Sequence, residues 1–369
     1  MGHKFCYMVI CFSSMLITVL GATAHASDAE DYLPFGKVCK YDKNPILRAT
    51  GTKFESMAVF NSTAILVNDT VYLFYRSENW GMENWNPANV RPKGWTWRDE
   101  WPGVSTIGMA TSKDGINFTR SKKPAIAPDH DYEQIGGCED PRITKIDDFY
   151  YMTYTGVGLP NRVSKLCLAT SKDLVNWEKH GPILKGWDNG NNKSGAILPK
   201  KINGKYWMYF GCTNIWLASS EDGIHWKSDI NKDVVLRPRK NHFDSALCES
   251  GPSPVFTDKG ILLIYNGAAD NNVLRMVDYG NPSVLTASKK GDRKYATGWA
   301  LFSKDDPSKL IARSDKPILE ITEDFEKRGQ VNNVLFSEGL VLLNNKWHIY
   351  YGCADTYIGV ATAENIGTE

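Results

Sequence analysis

Short runs of aromatic and β-branched residues, separated by turns rich in glycine, asparagine and aspartate, follow one another along most of the chain. A helical spacing of apolar residues is nearly absent, and this pattern predicts an all-β protein. One apolar element that ends in tyrosine recurs five times, as Leu73-Phe74-Tyr75, Met152-Thr153-Tyr154, Trp207-Met208-Tyr209, Leu263-Ile264-Tyr265 and His348-Ile349-Tyr350. Recurrence of one element predicts a fold built from repeated units.

A second element follows the first in three of these units. It runs over residues 110–118, 169–177 and 218–226, with a weaker copy at 300–305, and contains a Ser-x-Asp turn. An apolar strand, such a turn and an aromatic residue that returns to the core form a hairpin. Five units of several short strands each predict a five-bladed β-propeller, which would form a single catalytic domain over residues 27–369.

Polar residues recur about fourteen residues before each repeated tyrosine. That stretch is the predicted innermost strand of a blade, and the entrances to the innermost strands converge on the axis of a propeller. The residues at or within two positions of these entrances are Asn61, Glu139 with Asp140, Lys193, Glu249 and Glu338. We therefore expect one site on the axis. The alternative is chance, because acidic residues are common near turns.

Two units carry long polar insertions, at residues 78–104 and 268–297. The first contains five tryptophans, among them Trp80 and Trp85, interleaved with basic residues. Exposed indole faces stack on flat apolar surfaces such as those of sugar rings, so Trp80 and Trp85 are predicted to bind substrate. The alternative is that they only pack the loop against the domain.

Composition excludes some classes of function. The chain has 369 residues, a formal net charge of +1 and 42% apolar residues. A net charge this close to zero gives no electrostatic reason to expect a nucleic acid or an anionic membrane as a partner. The histidines and cysteines lack the short spacings of a metal site, so neither a metal nor another cofactor is predicted. The oligomeric state is left open.

Residues 1–26 have the pattern of a secretory signal peptide. Lys4 precedes an apolar stretch, and Ala24-His25-Ala26 matches a small-x-small cleavage site. We expect an exported chain, periplasmic or extracellular, that begins at Ser27 and makes no membrane contact after cleavage. An uncleaved anchor is the alternative. The six remaining cysteines are expected to be small buried residues, with one or two disulfides as the alternative.

Carboxyl groups that face each other across an axis suit the cleavage of glycosidic bonds. Inverting hydrolysis needs an acid for the leaving oxygen and a carboxylate that activates water, roughly 6.5–9.5 Å apart. Glu139 and Asp140 are neighbours in one strand, so only one should face the axis, and they cannot form this pair. The partner is expected to be Glu249 or Glu338. Arg142 should share the side of Asp140 and lower the pKa of that carboxyl, unless substrate or a second acid offsets it.

The run Gly137-Cys138-Glu139-Asp140-Pro141-Arg142, followed by the repeat pattern, resembles glycoside hydrolase family 130, the β-mannoside phosphorylases and β-mannosidases. The resemblance covers roughly residues 45–365. It implies a five-bladed propeller and an inverting mechanism in which Asp140 is the proton donor. The predicted substrate contacts besides the tryptophans are Asn61, Arg76, Glu139, Arg142, Lys193, Asn266 and Asp355. Structural ion pairs are the alternative for Arg76 and Lys193, and for Glu249, which would then pair with Arg142.

Two strand ends bear on the choice between hydrolysis and phosphorolysis. Phosphorylases of this family typically carry His-Arg-Pro and Tyr-His-Gly where this chain has Tyr209-Phe210-Gly211 and Tyr265-Asn266-Gly267, a change that removes phosphate ligands. Glu249 and Glu338 resemble the paired glutamates of the hydrolytic β-1,2-mannosidase branch, and two carboxylates would repel phosphate.

We therefore predict a secreted, inverting exo-β-mannosidase that hydrolyses β-mannosides, with β-1,2-linked manno-oligosaccharides as substrates. Asp140 would be the general acid, and Glu249 or Glu338 would act as the base or position the water. One alternative is a β-mannosyl phosphorylase that releases mannose 1-phosphate. The other is a non-catalytic sugar-binding propeller, against which the opposed acids argue.

Overall fold

The computed structural model describes residues 32–79, 104–134, 136–158, 163–187, 192–270 and 293–367. They form 22 strands, two short 3₁₀ helices at Lys53–Glu55 and Asp131–Glu133, and one α-helix, α1, at Asp324–Lys327. The described chain is therefore nearly all-β, as predicted. No helix within these ranges is long and apolar enough to cross a membrane. The predicted signal peptide, Trp80 and Trp85 lie outside the described residues.

The first part of the chain forms a short strand, β1, and an eight-stranded sheet of two antiparallel groups. β1 is Cys39–Lys40. The first group is β2 to β5, at Ala58–Val67, Thr70–Glu78, Ser105–Ser112 and Thr119–Arg120. The second group is β6 to β9, at Gly137–Ile146, Phe149–Gly158, Val163–Ser171 and Glu178–Pro182. One parallel pair, Ser105 with Gly137, joins the two groups.

The remaining strands form three further antiparallel groups. The third is β10 to β13, at Ala196–Ile197, Tyr206–Phe210, Ile215–Ser220 and Val234–Leu236. The fourth is β14 to β19, at Leu247–Ser250, Val255–Thr257, Gly260–Asp270, Arg293–Phe302, Leu310–Arg313 and Leu319–Glu320. The fifth is β20 to β22, at Leu335–Leu343, Lys346–Cys353 and Tyr357–Glu364. β1 pairs with β22, so the two ends of the described chain share one sheet.

Hydrophobic clusters pack each antiparallel group against the next. One cluster contains Phe74 of β3 and Ile143 of β6, and another contains Leu168 of β8 and Met208 of β11. A further cluster contains Leu73 of β3 together with Val341 of β20 and therefore joins the fifth group to the first. Because removal of apolar surface from water is the main stabilising force, this closed circuit of clusters stabilises the whole arrangement.

The three polar residues Asn61, Asp140 and Glu338 lie at β-bulges. Each is the fourth residue of its strand, in β2, β6 and β20 respectively, and the antiparallel register shifts at each of them. A bulge interrupts the alternation of side chains and re-aims the residue that it contains. Asn61 and Asp140 have φ values of 46° and 50°, a left-handed conformation that asparagine and aspartate adopt more readily than most residues.

Buried carboxylates tie together the strands of four of the five groups. In each case the carboxylate lies just before the first strand of the group. It accepts a hydrogen bond from a tyrosine on the strand that pairs with this first strand, and it binds a cation on a strand at the far edge of the same sheet. The four networks are Glu55–Tyr75–Arg120, Glu133–Tyr154–Lys179, Asp244–Tyr265–Arg313 and Glu326–Tyr351–Lys40. The sequence analysis does not predict these networks.

Removal of the cation from such a network is expected to destabilise the fold. Lys179 Nζ lies 2.8 Å from Glu133 Oε2, and the Glu133 side chain is fully buried. Lys179→Met leaves this carboxylate without its cation, and breaking a buried ion pair in this way costs about 3–5 kcal/mol. The matched control is Lys205→Met, which removes the exposed pair with Glu221 and should cost about 0–1 kcal/mol. Urea unfolding measures both, and equal losses would contradict the stabilising role.

Candidate active site

Asp140 is only 6% exposed and is held by groups from two other strands. Asn61 Nδ2 donates to its Oδ1 at 2.9 Å, and Arg76 Nη1 lies 3.4 Å from the same oxygen. Burial alone would raise the pKa of the Asp140 carboxyl, but the charges of Arg76, Lys193 and Arg142 outweigh burial and lower it. Asp140 is therefore a carboxylate in the free protein and must gain a proton before it can act as an acid.

Arg76 contacts three carboxylates. Its Nη2 lies 2.5 Å from Glu78 Oε1 and 3.1 Å from Glu139 Oε1, in addition to the contact with Asp140. Glu139 and Asp140 therefore approach the same guanidinium, because the bulge at Asp140 removes the strict alternation on which the expectation for these two residues rested. Burial would lower the pKa of Arg76, but the surrounding carboxylates raise it; these are Glu139, Glu78, Asp140 and Asp355.

Glu78 is the site residue that the sequence analysis missed. The predicted site residues lie at the entrances of the inner strands, whereas Glu78 lies at the end of β3. A signal was present, because Glu78 follows Arg76 by two residues in a strand and such residues project to one face. Arg76 and Lys193 both contact carboxylates, which agrees with the structural ion pairs that were the alternative to substrate binding for these two residues.

Arg142 and Glu338 form a buried pair. Arg142 is 1% exposed, its Nη2 lies 2.8 Å from Glu338 Oε1, and it donates to the carbonyl oxygens of Asp140 and Ser250, both at 2.9 Å, and of Gly251 at 3.3 Å. The approach to Glu338 is close but poorly aligned, so neither carboxyl oxygen of Glu338 accepts a hydrogen bond from a described residue. Arg142 thus connects β6, β14 and β20.

The pKa of Glu338 lies well above the usual range of a glutamate. Burial is the main cause, and the negative charges of Asp140 and Glu249 add to it, which together outweigh the opposite effect of Arg142 and Lys193. The carboxyl group of Glu338 is therefore protonated more readily than that of an ordinary glutamate.

Glu249 is paired with Lys193 and not with Arg142. Lys193 Nζ lies 2.9 Å from Glu249 Oε1, and the Ser194 hydroxyl donates to the same oxygen. Burial would lower the pKa of Lys193, but the charges of Glu249 and Asp140 raise it, so the ammonium group stays charged. The pair is close to neutral overall.

Asn266 contacts the strand that carries Glu338. It is fully buried, its Nδ2 donates to the carbonyl oxygen of Ser337 at 2.9 Å, and its Oδ1 accepts from the backbone N–H of Ser337 at 2.8 Å. Asn266 therefore fixes the residue before Glu338, a contact that the sequence analysis did not predict. Contacts with sugar remain predictions for the whole set, which is Asn61, Arg76, Glu139, Arg142, Lys193, Asn266 and Asp355.

Two carboxyl groups whose pKa values are shifted in opposite directions, one lowered and one raised, are typical of acid–base sites. Asp140 and Glu338 are such a pair, and the carboxylates and cations around them can hydrogen-bond to hydroxyl groups. Among the described residues, no group of histidine, cysteine and carboxylate side chains could hold a metal ion. The site therefore has the composition expected of an enzyme that cleaves glycosidic bonds.

Comparisons with known proteins identify the family. The model of glycoside hydrolase family 130, described as beta-1,4-mannooligosaccharide phosphorylase, matches residues 97–366. The chain is 38% identical over 327 residues to 1,2-beta-oligomannan phosphorylase of Thermoanaerobacter sp. (strain X514), with 88% of this chain and 95% of that protein covered. The chain belongs to glycoside hydrolase family 130.

Two solved structures are similar over most of the chain. Beta-1,2-mannobiose phosphorylase from Listeria innocua, in complex with beta-1,2-mannobiose, is 26% identical with a TM-score of 0.72 and covers 89% of this chain and 97% of its own. A second structure comes from work on glycoside hydrolases of family 130 that target beta-1,2 mannosidic linkages in Candida mannan. It is 34% identical, with a TM-score of 0.74, and covers 90% of this chain and 94% of its own.

The predicted hydrolytic mannosidase is wrong, because the curated relatives that match most of the chain are phosphorylases. The prediction gave too much weight to two strand ends, Tyr209-Phe210-Gly211 and Tyr265-Asn266-Gly267. It also assumed that Glu249 and Glu338 would repel phosphate as two free carboxylates. The pKa of Glu338 is raised, and Glu249 lies 2.9 Å from the charge of Lys193, so neither group presents an uncompensated negative charge.

Proposed function

We propose that this protein is a β-mannoside phosphorylase that cleaves β-1,2-linked manno-oligosaccharides with inorganic phosphate and releases mannose 1-phosphate. The observation that carries the proposal is the 38% identity to 1,2-beta-oligomannan phosphorylase over 88% of the chain. The cations Arg76, Arg142 and Lys193 support it, because a phosphate ion needs positive charge in its surroundings. In the proposed reaction Asp140 gives a proton to the leaving oxygen as the bond from that oxygen to the anomeric carbon breaks.

A phosphate oxygen forms the new bond to the anomeric carbon from the opposite face, and the configuration there is inverted. The proton that Asp140 gives up has to be replaced before the next turnover, and protonated phosphate or water can supply it. In this proposal Glu338 and the Lys193–Glu249 pair position hydroxyl groups or phosphate. Because its pKa is raised, Glu338 can take up a proton, and the protonated group can donate a hydrogen bond to an anion that a carboxylate would repel.

The finer architecture forms part of the same proposal. Five antiparallel groups joined in a closed circuit, with β1 completing the last one, support a five-bladed propeller over residues 27–369. In a propeller the bulged residues of the inner strands would surround the axis. Export of the mature chain stays a prediction that depends on the pattern of residues 1–26.

Phosphate dependence of the rate tests the proposed function. With β-1,2-mannobiose as substrate, release of mannose should rise with phosphate concentration, reach saturation and fall to background without phosphate. Sulfate at equal ionic strength is the control, because it is an anion of similar shape that cannot be recovered as a sugar phosphate. A rate that is the same with and without phosphate would overturn the proposal, and so would the absence of turnover on any β-mannoside.

A further inference from the structure

We propose that Glu78 limits the interaction between Arg76 and Asp140 and so keeps Asp140 able to carry the proton that it donates. This inference rests on the proposed function only in that Asp140 is the proton donor. Glu78 acts through Arg76, which makes it a positioning residue.

The geometry at Arg76 carries the proposal. Among the three carboxylates that contact this guanidinium, Glu78 is nearest at 2.5 Å, Glu139 follows at 3.1 Å, and Asp140 is farthest at 3.4 Å. Because the interaction of two charges weakens with distance and strengthens in buried surroundings, Glu78 has the strongest of the three interactions with Arg76. The interaction of Arg76 with Asp140 is the weakest.

Glu78 is held in this position by its neighbours. It is 3% exposed, the Ser105 hydroxyl donates to its Oε1 at 3.3 Å, and Gln330 Nε2 donates to its Oε2 at 3.0 Å. Gln330 Nε2 also donates to the carbonyl oxygen of Asp355 at 2.6 Å, so the first and fifth groups of strands both contribute to the contact. Hydrogen bonds to both carboxyl oxygens keep Glu78 directed at Arg76.

The other charges around Asp140 explain why such a limit is needed. Lys193 and Arg142 also face Asp140, and Glu338 opposes it from β20. Three cations favour the ionised form of Asp140, whereas a proton donor has to be protonated when the bond breaks. Loss of Glu78 would remove a nearby negative charge and free Arg76 to interact more strongly with Asp140, and both effects make Asp140 more acidic.

The pH profile of turnover tests this role. Activity requires protonated Asp140, so it falls as the pH rises through the pKa of this group. In Glu78→Gln the descending limb of kcat/KM should move to lower pH by about one unit, because one neighbouring charge changes a pKa by at least about this amount. At pH 7 the variant should then have about tenfold less activity than the wild-type protein. A limb that stays in place or moves to higher pH would overturn the proposal.

Two variants separate this effect from a general loss of structure or charge. Glu78→Asp keeps the negative charge and should restore most of the profile. Asp173→Asn removes one negative charge from an exposed turn on the β8–β9 connection and should leave the profile unchanged. A shift of the same size in Asp173→Asn would show that net charge alone causes the change.

A stability measurement tests Glu78 independently of turnover. If Glu78 weakens the pairing of Arg76 with Asp140, Asp140→Asn should lower the melting temperature more in the Glu78→Gln background than in the wild-type protein at pH 7. Equal decreases in the two backgrounds would contradict the inference even if no substrate were turned over. Failure of the phosphate test with unequal decreases would instead leave Glu78 established and the proposed function wrong.

Discussion

Asp140→Asn is expected to lower kcat for β-1,2-mannobiose by about 10²–10⁴-fold, the usual contribution of a general acid. The amide keeps the shape of the side chain but cannot give a proton to the leaving oxygen. Its Oδ1 can still accept the hydrogen bond from Asn61, which the structure places at 2.9 Å. The variant should therefore fold, and its circular dichroism spectrum should match that of the wild-type protein.

The dependence on the leaving group provides a sharper test of the same assignment. In an aryl β-mannoside with an acidic phenol, the phenolate can leave without being protonated. Asp140→Asn should therefore retain far more of its activity on this substrate than on mannobiose. Equal losses on both substrates would contradict the role of Asp140 as proton donor. Asn61→Ala is the companion variant, because it removes the hydrogen bond and leaves the carboxyl group in place.

Arg142→Met is expected to destabilise the protein by about 3–5 kcal/mol, because it removes one partner of a buried ion pair. The guanidinium lies 2.8 Å from Glu338 Oε1 and also donates to three backbone carbonyls of β6 and the β14 segment. Loss of these donors leaves several buried acceptors without a partner. Urea unfolding at pH 7 measures the change.

Arg142→Lys is the matched variant for this prediction. It keeps the charge but cannot reproduce the fork of donors that reaches several carbonyls at once, so an intermediate loss is expected. A second comparison is Arg142→Met with Glu338→Gln, in which no buried carboxylate is left unpaired. This double variant should be more stable than Arg142→Met alone, and equal stability of the two would contradict the importance of the pair.

The repeated tyrosines were sufficient to predict the strands of this fold. Tyr75, Tyr154, Tyr209, Tyr265 and Tyr350 lie on the strands that pair with the first strands of the five antiparallel groups. Their spacing is visible because the pattern of apolar and polar residues has the period of a strand. The convergence of Asp140, Glu249 and Glu338 also followed from this register.

The details of the site could not be predicted in the same way. A bulge changes the direction of a side chain without changing the composition of the strand, so the joint approach of Glu139 and Asp140 to Arg76 was not visible. The position of Glu78 depends on which charges face each other across separate strands. The protonation of Glu338 depends on its burial and on charges that lie 89 or more residues away in the chain.

Phosphorus-31 NMR of the reaction with β-1,2-mannobiose distinguishes phosphorolysis from hydrolysis directly. In phosphorolysis the signal of inorganic phosphate decreases and that of mannose 1-phosphate appears, with one phosphate consumed for each glycosidic bond that is cleaved. A phosphate signal that stays constant while free mannose accumulates would contradict the account.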